Sequence, residues 1–170
     1  MKSINIPAYK ISYKKSSAPS LSVPDASITT GQQAAMIFKE VYSSEGCAPA
    51  AKEYCYILMV NNGNKPIGYA KISEGGIDGT VMDNRLIMKA ALDICATGII
   101  LCHNHPSGNP MPGKSDIEMT KTLHRACKLM DIKLLDHIIL TPGGEYYSFD
   151  QEGCGLITTR TRAEAIEYEL

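Results

Sequence analysis

The sequence predicts an α/β (α+β) domain, a mixed β-sheet flanked by helices. Three observations carry this. Apolar runs of about four to eight residues, at 54–60, 67–73, 99–102 and 134–140, are each flanked closely by Gly, Pro or Asn, as strands are. Other segments repeat apolar residues every three to four positions, as amphipathic helices do. The two kinds follow one another in the order α-β-β-α-β-α-β-β, which describes a mixed sheet with helices on its faces.

Residues 1–28 are rich in Ser, Pro and Lys, with Lys14-Lys15-Ser16-Ser17 at their centre. Ile4, Ile6, Ile11 and Tyr13 could form an edge strand, but Pro7 interrupts it. They read as an extended N-terminal arm, and the domain proper spans 29–170. Thr29-Thr30 caps a helix through about Tyr42, with Ala34, Ala35, Phe38 and Val41 on one face. After a loop at 43–51, Glu53 stands at the head of a strand over 54–60. Asn61-Asn62-Gly63-Asn64 then turns the chain into an antiparallel partner at 67–73. Gly75-Gly76 and Gly79 break it again. Asp83 or Asn84 opens a helix to about Ala96, whose apolar face is Leu86, Ile87, Ala90, Ala91 and Ile94. Following the strand at 99–102, Ser115-Asp116-Ile117-Glu118 matches the S-x-x-E capping box and begins a helix with Ile117, Thr120, Leu123 and Cys127 inward. A strand at 134–140, a turn at Pro142-Gly143-Gly144 and a pairing strand at 146–149 complete the sheet. Ala163 to Leu170 reads as a short terminal helix.

The chemistry concentrates in Ile99 to Thr120. His103 and His105 end a buried strand, so alternation points both side chains the same way and turns Asn104 and Cys102 to the other face. Their Cα atoms lie roughly 6.5 to 7 Å apart, close enough for both imidazoles to reach one ion. Pro106, Gly108, Pro110, Pro112 and Gly113 forbid regular structure and let the loop curl back, so Asp116 in the first helical turn can offer a carboxylate to the same point. Two histidines, one carboxylate and a fourth position open for water match a catalytic Zn2+ site rather than a closed structural one. A lone His on a strand is more often a hydrogen-bonded structural residue; the constellation, not its parts, argues for metal.

Composition narrows the field. The chain has 170 residues, with 17 basic against 18 acidic, so nothing in the overall charge favours a polyanion or a membrane surface. No apolar run approaches the roughly 18 residues that would span a bilayer, and the N-terminus lacks a signal-peptide core, which points to the cytoplasm. Six cysteines (Cys47, Cys55, Cys95, Cys102, Cys127, Cys154) show no C-x-x-C spacing and read as small buried hydrophobes in a reducing compartment.

At His103-Asn104-His105-Pro106-Ser107-Gly108, with Pro112 and Asp116 downstream, the chain resembles the RadC family of JAB/MPN metalloenzymes, whose JAMM motif runs H-x-H, seven residues, then S-x-x-D. The resemblance extends to Arg85-Leu86-Ile87, Ala90-Ala91-Leu92 and Leu135-Asp136-His137-Ile138-Ile139, covering about residues 30 to 150. It implies the cytidine-deaminase-like sandwich and a zinc hydrolase acting on peptide or isopeptide bonds. The family's N-terminal helix-hairpin-helix region has no room here, so weak or no DNA binding is expected. One departure matters: the motif's Ser falls on Gly113.

Hydrolysis also needs a proton acceptor. Of Glu40, Glu45, Glu53 and Glu74, Glu53 is favoured by its place at the head of a strand, and the resemblance maps the family's catalytic Glu onto it. Glu74 is the runner-up, before a Gly-Gly loop that could approach the metal. Ser107 and Ser115 are candidate oxyanion donors, and Asp136 and His137 could orient a ligand imidazole from behind, although capping or packing suits that pair as well. His124 reads as a partly buried helix residue, and Arg85 as an anion contact or a partner for Asp83 or Glu74. Three readings compete: a zinc hydrolase with a peptide or protein substrate, a degenerate metal-bearing interaction module, and a DNA-repair-associated protein. A nucleobase deaminase is disfavoured because the H-x-E and P-C-x-x-C signature is absent. The arm or the tail could build a homodimer.

Overall fold

A computed structural model describes residues 21, 23, 25–75, 82–152, 155 and 157. Most of the proposed arm and the proposed terminal helix lie outside the described residues. Among the described residues three helices and five strands follow in the expected order: α1 (Gly31–Ser44), β1 (Tyr54–Val60), β2 (Pro66–Glu74), α2 (Asn84–Asp93), β3 (Gly98–Asn104), α3 (Lys114–Leu129), β4 (Lys133–Leu140) and β5 (Tyr146–Ser148). The strands form one mixed sheet in the order β2-β1-β3-β4-β5, in which only β3 and β4 run parallel. The fold is α+β, consistent with a JAB/MPN-like domain.

Because strand side chains alternate, the sheet has two distinct faces. On one, Cys55, Ile57, Met59, Ile99, Leu101 and Ile139 pack with Ile87, Ala91, Leu123 and Cys127 of α2 and α3. On the other, Tyr54, Tyr56, Leu58, Ile100, Cys102 and Ile138 pack with Ala34, Phe38 and Val41 of α1. The central strands β1 and β3 are buried along their whole length, which is why they read as continuous apolar runs. Each fully buried Ile or Leu of these layers contributes about 1.5–3 kcal/mol.

Local chemistry sets the helix starts. Thr30 is the N-cap of α1: its hydroxyl accepts from Gln33 N–H at 3.2 Å while Gln33 Oε1 accepts from Thr30 N–H. Asp83 caps α2 through Arg85 N–H at 2.9 Å and also pairs with the Arg85 guanidinium at 2.6 Å, so Arg85 is engaged as one of its two readings had it. The start of α3 differs from expectation. Its N-cap is Gly113, not Ser115, and the acid three residues later is Asp116, whose Oδ2 accepts from Gly113 N–H at 2.7 Å. The S-x-x-E pattern at Ser115–Glu118 is therefore not a cap; Asp116 in the third helical position already satisfies the free N–H of Gly113, three residues earlier. Among the described residues no helix is long and apolar enough to cross a membrane.

Candidate metal centre

Parity puts His103 on the α2/α3 face, since it pairs with Cys55 of β1 and Ile139 of β4, both of that layer. His105 follows just beyond the strand and is tied to it by its own N–H on Leu140 O at 2.9 Å. The loop curls back at Gly108, whose φ of +81° favours glycine, and Asn109 O approaches His105 Nδ1 at 2.9 Å. Asp116 closes the cluster from the first turn of α3. His103 Nε2 lies 3.0 Å from His105 Nε2, and the two nitrogens lie 3.4 and 3.5 Å from Asp116 Oδ1 and Oδ2. His103 and Asp116 are buried and His105 is half-buried, which leaves an open side.

Hydrogen bonding decides what this pocket of donors can hold. A backbone carbonyl only accepts, so His105 Nδ1 carries its hydrogen toward Asn109 O and the Nε2 of a neutral ring is bare. Nε2 is thus a lone pair aimed at His103 Nε2 and at a carboxylate. Such a group calls for a cation at its centre, and two nitrogens 2.0–2.1 Å from one tetrahedral ion would lie about 3.3 Å apart. The donor set fits a divalent metal. Without one, protons serve partly: the Asp116 carboxylate raises the pKa of His105, with Glu53 adding to the effect. Burial would push the Asp116 carboxyl up, but His103, His105 and Gly113 N–H together hold it well below the usual carboxylate range.

The β1–β3 ladder ends at Cys55 and His103; continued by two pairs, past Tyr54 and Asn104, its register puts Glu53 across from His105 on the same face. Asn104, fully buried on the opposite face, fixes that segment. Its Oδ1 accepts from Tyr54 N–H at 2.8 Å, and its Nδ2 donates to Lys52 O and Pro49 O, both at 2.8 Å. Two of these bonds flank Glu53 directly, and Gly75 N–H donates to Glu53 O at 2.8 Å. Glu74 goes elsewhere. It pairs with Tyr54 of the α1 face and is held by Lys52 at 3.0 Å and Lys71 at 3.4 Å, so the runner-up carboxylate does not meet the histidines.

The model of the family described as RadC-like JAB domain matches residues 28–154. The chain belongs to that family. Curated relatives include a UPF0758 protein of Flavobacterium johnsoniae, 48% identical over 101 residues that cover 59% of this chain and 44% of that protein. A UPF0758 protein of Porphyromonas gingivalis is 40% identical over 102 residues, 60% of this chain and 45% of that one. One of Coprothermobacter proteolyticus is 39% identical over 122 residues, 69% and 50%. The chain spans about half the length of the curated relatives it matches.

In this RadC-like domain the remaining candidates separate. Ser107 is exposed and its Oγ accepts weakly from Asn109 N–H at 3.4 Å; Ser115 is exposed in the first turn of α3. His137 reaches the centre from behind, Nε2 to His103 Nδ1 at 2.8 Å. Asp136 does not accompany it. Leu135 is an extra residue between the Ile99–Leu134 and Ile100–Asp136 pairs, a bulge that sends Asp136 to the α1 face and His137 to the metal face. There Asp136 accepts from Ser148 Oγ at 2.6 Å, His137 N–H at 2.7 Å and Asp150 N–H at 3.0 Å. The orienting role expected of the pair can thus fall only to His137, and Asp136 serves packing. Cys102 also faces α1, where Tyr42 Oη lies 3.8 Å from its sulfur. His124 is partly buried, away from the cluster that His103, His105 and Asp116 make. Sequence reasoning missed Asn104 and Thr120 as parts of the site. For Thr120 the spacing of four from Asp116 was a usable signal; for Asn104 there was none beyond its place between the histidines.

Proposed function

We propose that this RadC-like domain is a zinc-dependent hydrolase of peptide or isopeptide bonds, with His103, His105 and Asp116 as metal ligands and Glu53 as the proton carrier. The observation that carries the reading is the convergence of two imidazole Nε2 atoms, 3.0 Å apart, on a buried carboxylate, with His105 Nδ1 already engaged by a carbonyl. Bound there, zinc supplies a Lewis acid for a carbonyl and brings the pKa of a coordinated water toward about 7. The chain's own groups do the rest. Asp116 contributes the negative charge that favours a cation, and its cap on Gly113 N–H holds the carboxylate in place. Glu53, set across from His105 and fixed by Asn104, accepts the proton of the attacking water and delivers it to the departing amine.

Elemental analysis tests the site. Wild-type protein should carry about one zinc, with strong loss in His103→Ala, His105→Ala and Asp116→Ala, because the three ligands act on one ion. Full occupancy in all three variants refutes the site. Glu53→Gln should keep the metal and lose hydrolysis of a peptide or isopeptide substrate, and retained turnover removes Glu53 from its role.

Gly113 favours a second reading, a metal-bearing interaction module without turnover. At this place the resembling motif has a serine whose hydroxyl stabilises the oxyanion, and glycine offers only a backbone N–H, which Asp116 Oδ2 already receives.

A further inference from the structure

Thr120 sits one turn after Asp116 on α3, fully buried, and its hydroxyl donates to Asp116 O at 2.6 Å. A hydroxyl has a single hydrogen and a backbone carbonyl can only accept, so that hydrogen is committed. The 2.7 Å contact between Thr120 Oγ1 and His137 Nδ1 must therefore run from the imidazole: Nδ1–H donates to the hydroxyl oxygen. His137 is fully buried with no carboxylate against its ring, so it is neutral and has one N–H. Its Nε2 is then an acceptor, and the 2.8 Å contact with His103 is His103 Nδ1–H donating to it. That leaves His103 Nε2 bare, facing His105 Nε2 and Asp116. Phe149 stacks on the His137 ring, centroids 4.7 Å apart and planes 6° from parallel, which fixes the ring plane that the chain of bonds requires.

We propose that Thr120 and His137 are positioning residues: a one-way hydrogen-bond chain, Asp116 C=O, Thr120, His137, His103, that locks His103 in the tautomer whose Nε2 lone pair is free for a metal ion. This deepens the metal reading above and rests on it. The chain starts on the backbone of one proposed ligand and ends on the ring of another, so the seating of α3 and the tautomer of β3 are set together. Its direction depends on a single proton. Removing the Thr120 acceptor releases His137 to the Nε2–H tautomer; that hydrogen would point at His103 Nδ1 and drive the His103 proton to Nε2, into the metal position.

Long-range 1H–15N correlation spectra of the metal-free wild type should show His103 and His137 protonated at Nδ1 and bare at Nε2. Thr120→Val keeps the side-chain shape without an acceptor; in it both tautomers should invert. Zn2+ affinity, read by competition with a chromophoric chelator, should fall about 10- to 100-fold. Thr120→Ser should restore both readouts, which a role in packing alone would not do. Thr120→Ala gives the same expectation should the valine variant not fold. A wild-type His103 protonated at Nε2 overturns the proposal, as does a zinc-binding wild type whose Thr120→Val variant binds equally well. A wild type that takes up no zinc overturns the metal reading and the purpose of the chain with it, and is distinguished by the wild-type titration alone.

Discussion

Asp136 has a carboxyl that burial pushes up to about 6, although Ser148 Oγ, Asp150 N–H and His137 N–H all donate to it. Against an unfolded value near 3.9, the folded protein binds this proton more tightly, so the stability it contributes is present at low pH and is lost as pH rises through about 6. Two pK units correspond to about 3 kcal/mol. Urea unfolding of Asp136→Asn should therefore compare more favourably with wild type at pH 7.5 than at pH 4.5, by up to that amount. An equal difference at both values would show that the carboxyl is ionised throughout. Gly113 poses the other question at this scale. Its φ of −78° and ψ of 170° suit any residue, and an added Cβ would lie 3.3 Å from Asp116 Oδ2, a contact that a few tenths of an ångström relieve. Gly113→Ser should thus fold, and where the rest of the site is competent it should raise turnover, because one oxyanion donor is typically worth about 10² to 10³ in rate. Unchanged activity, with Ser107→Ala or Ser115→Ala abolishing turnover, would place that donor elsewhere.

Between elements, close approach decides what can be substituted. The N-terminus of α1 lies against β4 and β5 so tightly that a Cβ on Gly31 would meet Ser148 Oγ at 2.7 Å and Asp136 Oδ2 at 3.0 Å. Those two atoms are bonded to each other at 2.6 Å, so neither can retreat without cost. Gly31→Ala should destabilise by about 1–3 kcal/mol through overpacking, read as a lower urea midpoint with little change in slope. A wild-type midpoint would mean that α1 shifts freely on the sheet. Asn104 works at the same scale. Its side-chain bonds run to residues 49–54, so it attaches the loop before β1 to the end of β3 and holds the backbone on both sides of Glu53.

Over the whole molecule, charge is nearly balanced, with a formal net charge of −1. Non-specific DNA affinity comes from clustered cations that displace counterions, and the chain's cluster is Lys2, Lys10, Lys14 and Lys15, outside the described residues. Binding to duplex DNA should be weak, fall steeply with salt and depend on residues 1–20. Tight binding at moderate salt that survives their deletion would revive a nucleic-acid role for the domain itself.

What the sequence determined by itself was whatever depends on near neighbours along the chain. Strand parity put His103 and His105 on one face with Cys102 and Asn104 on the other, and the Pro/Gly loop brought Asp116 back to them, because a two-residue period and a short loop leave little freedom. The order of elements followed from apolar runs and turn residues in the same way. Only the tertiary structure decided which strands pair, and with them everything that reaches the site from afar. The β1–β3 register, extended past Cys55 and His103, set Glu53 across from His105, and the β1–β2 register paired Glu74 with Tyr54 of the other face. One extra residue at Leu135 separated Asp136 from His137, a flip invisible in a sequence whose alternation looks regular there. Thr120 became part of the centre because α3 packs over β4 and delivers a hydroxyl to a ring seventeen residues away. Pairing and packing are settled by burial summed over both faces of the sheet, and no local stretch carries that sum.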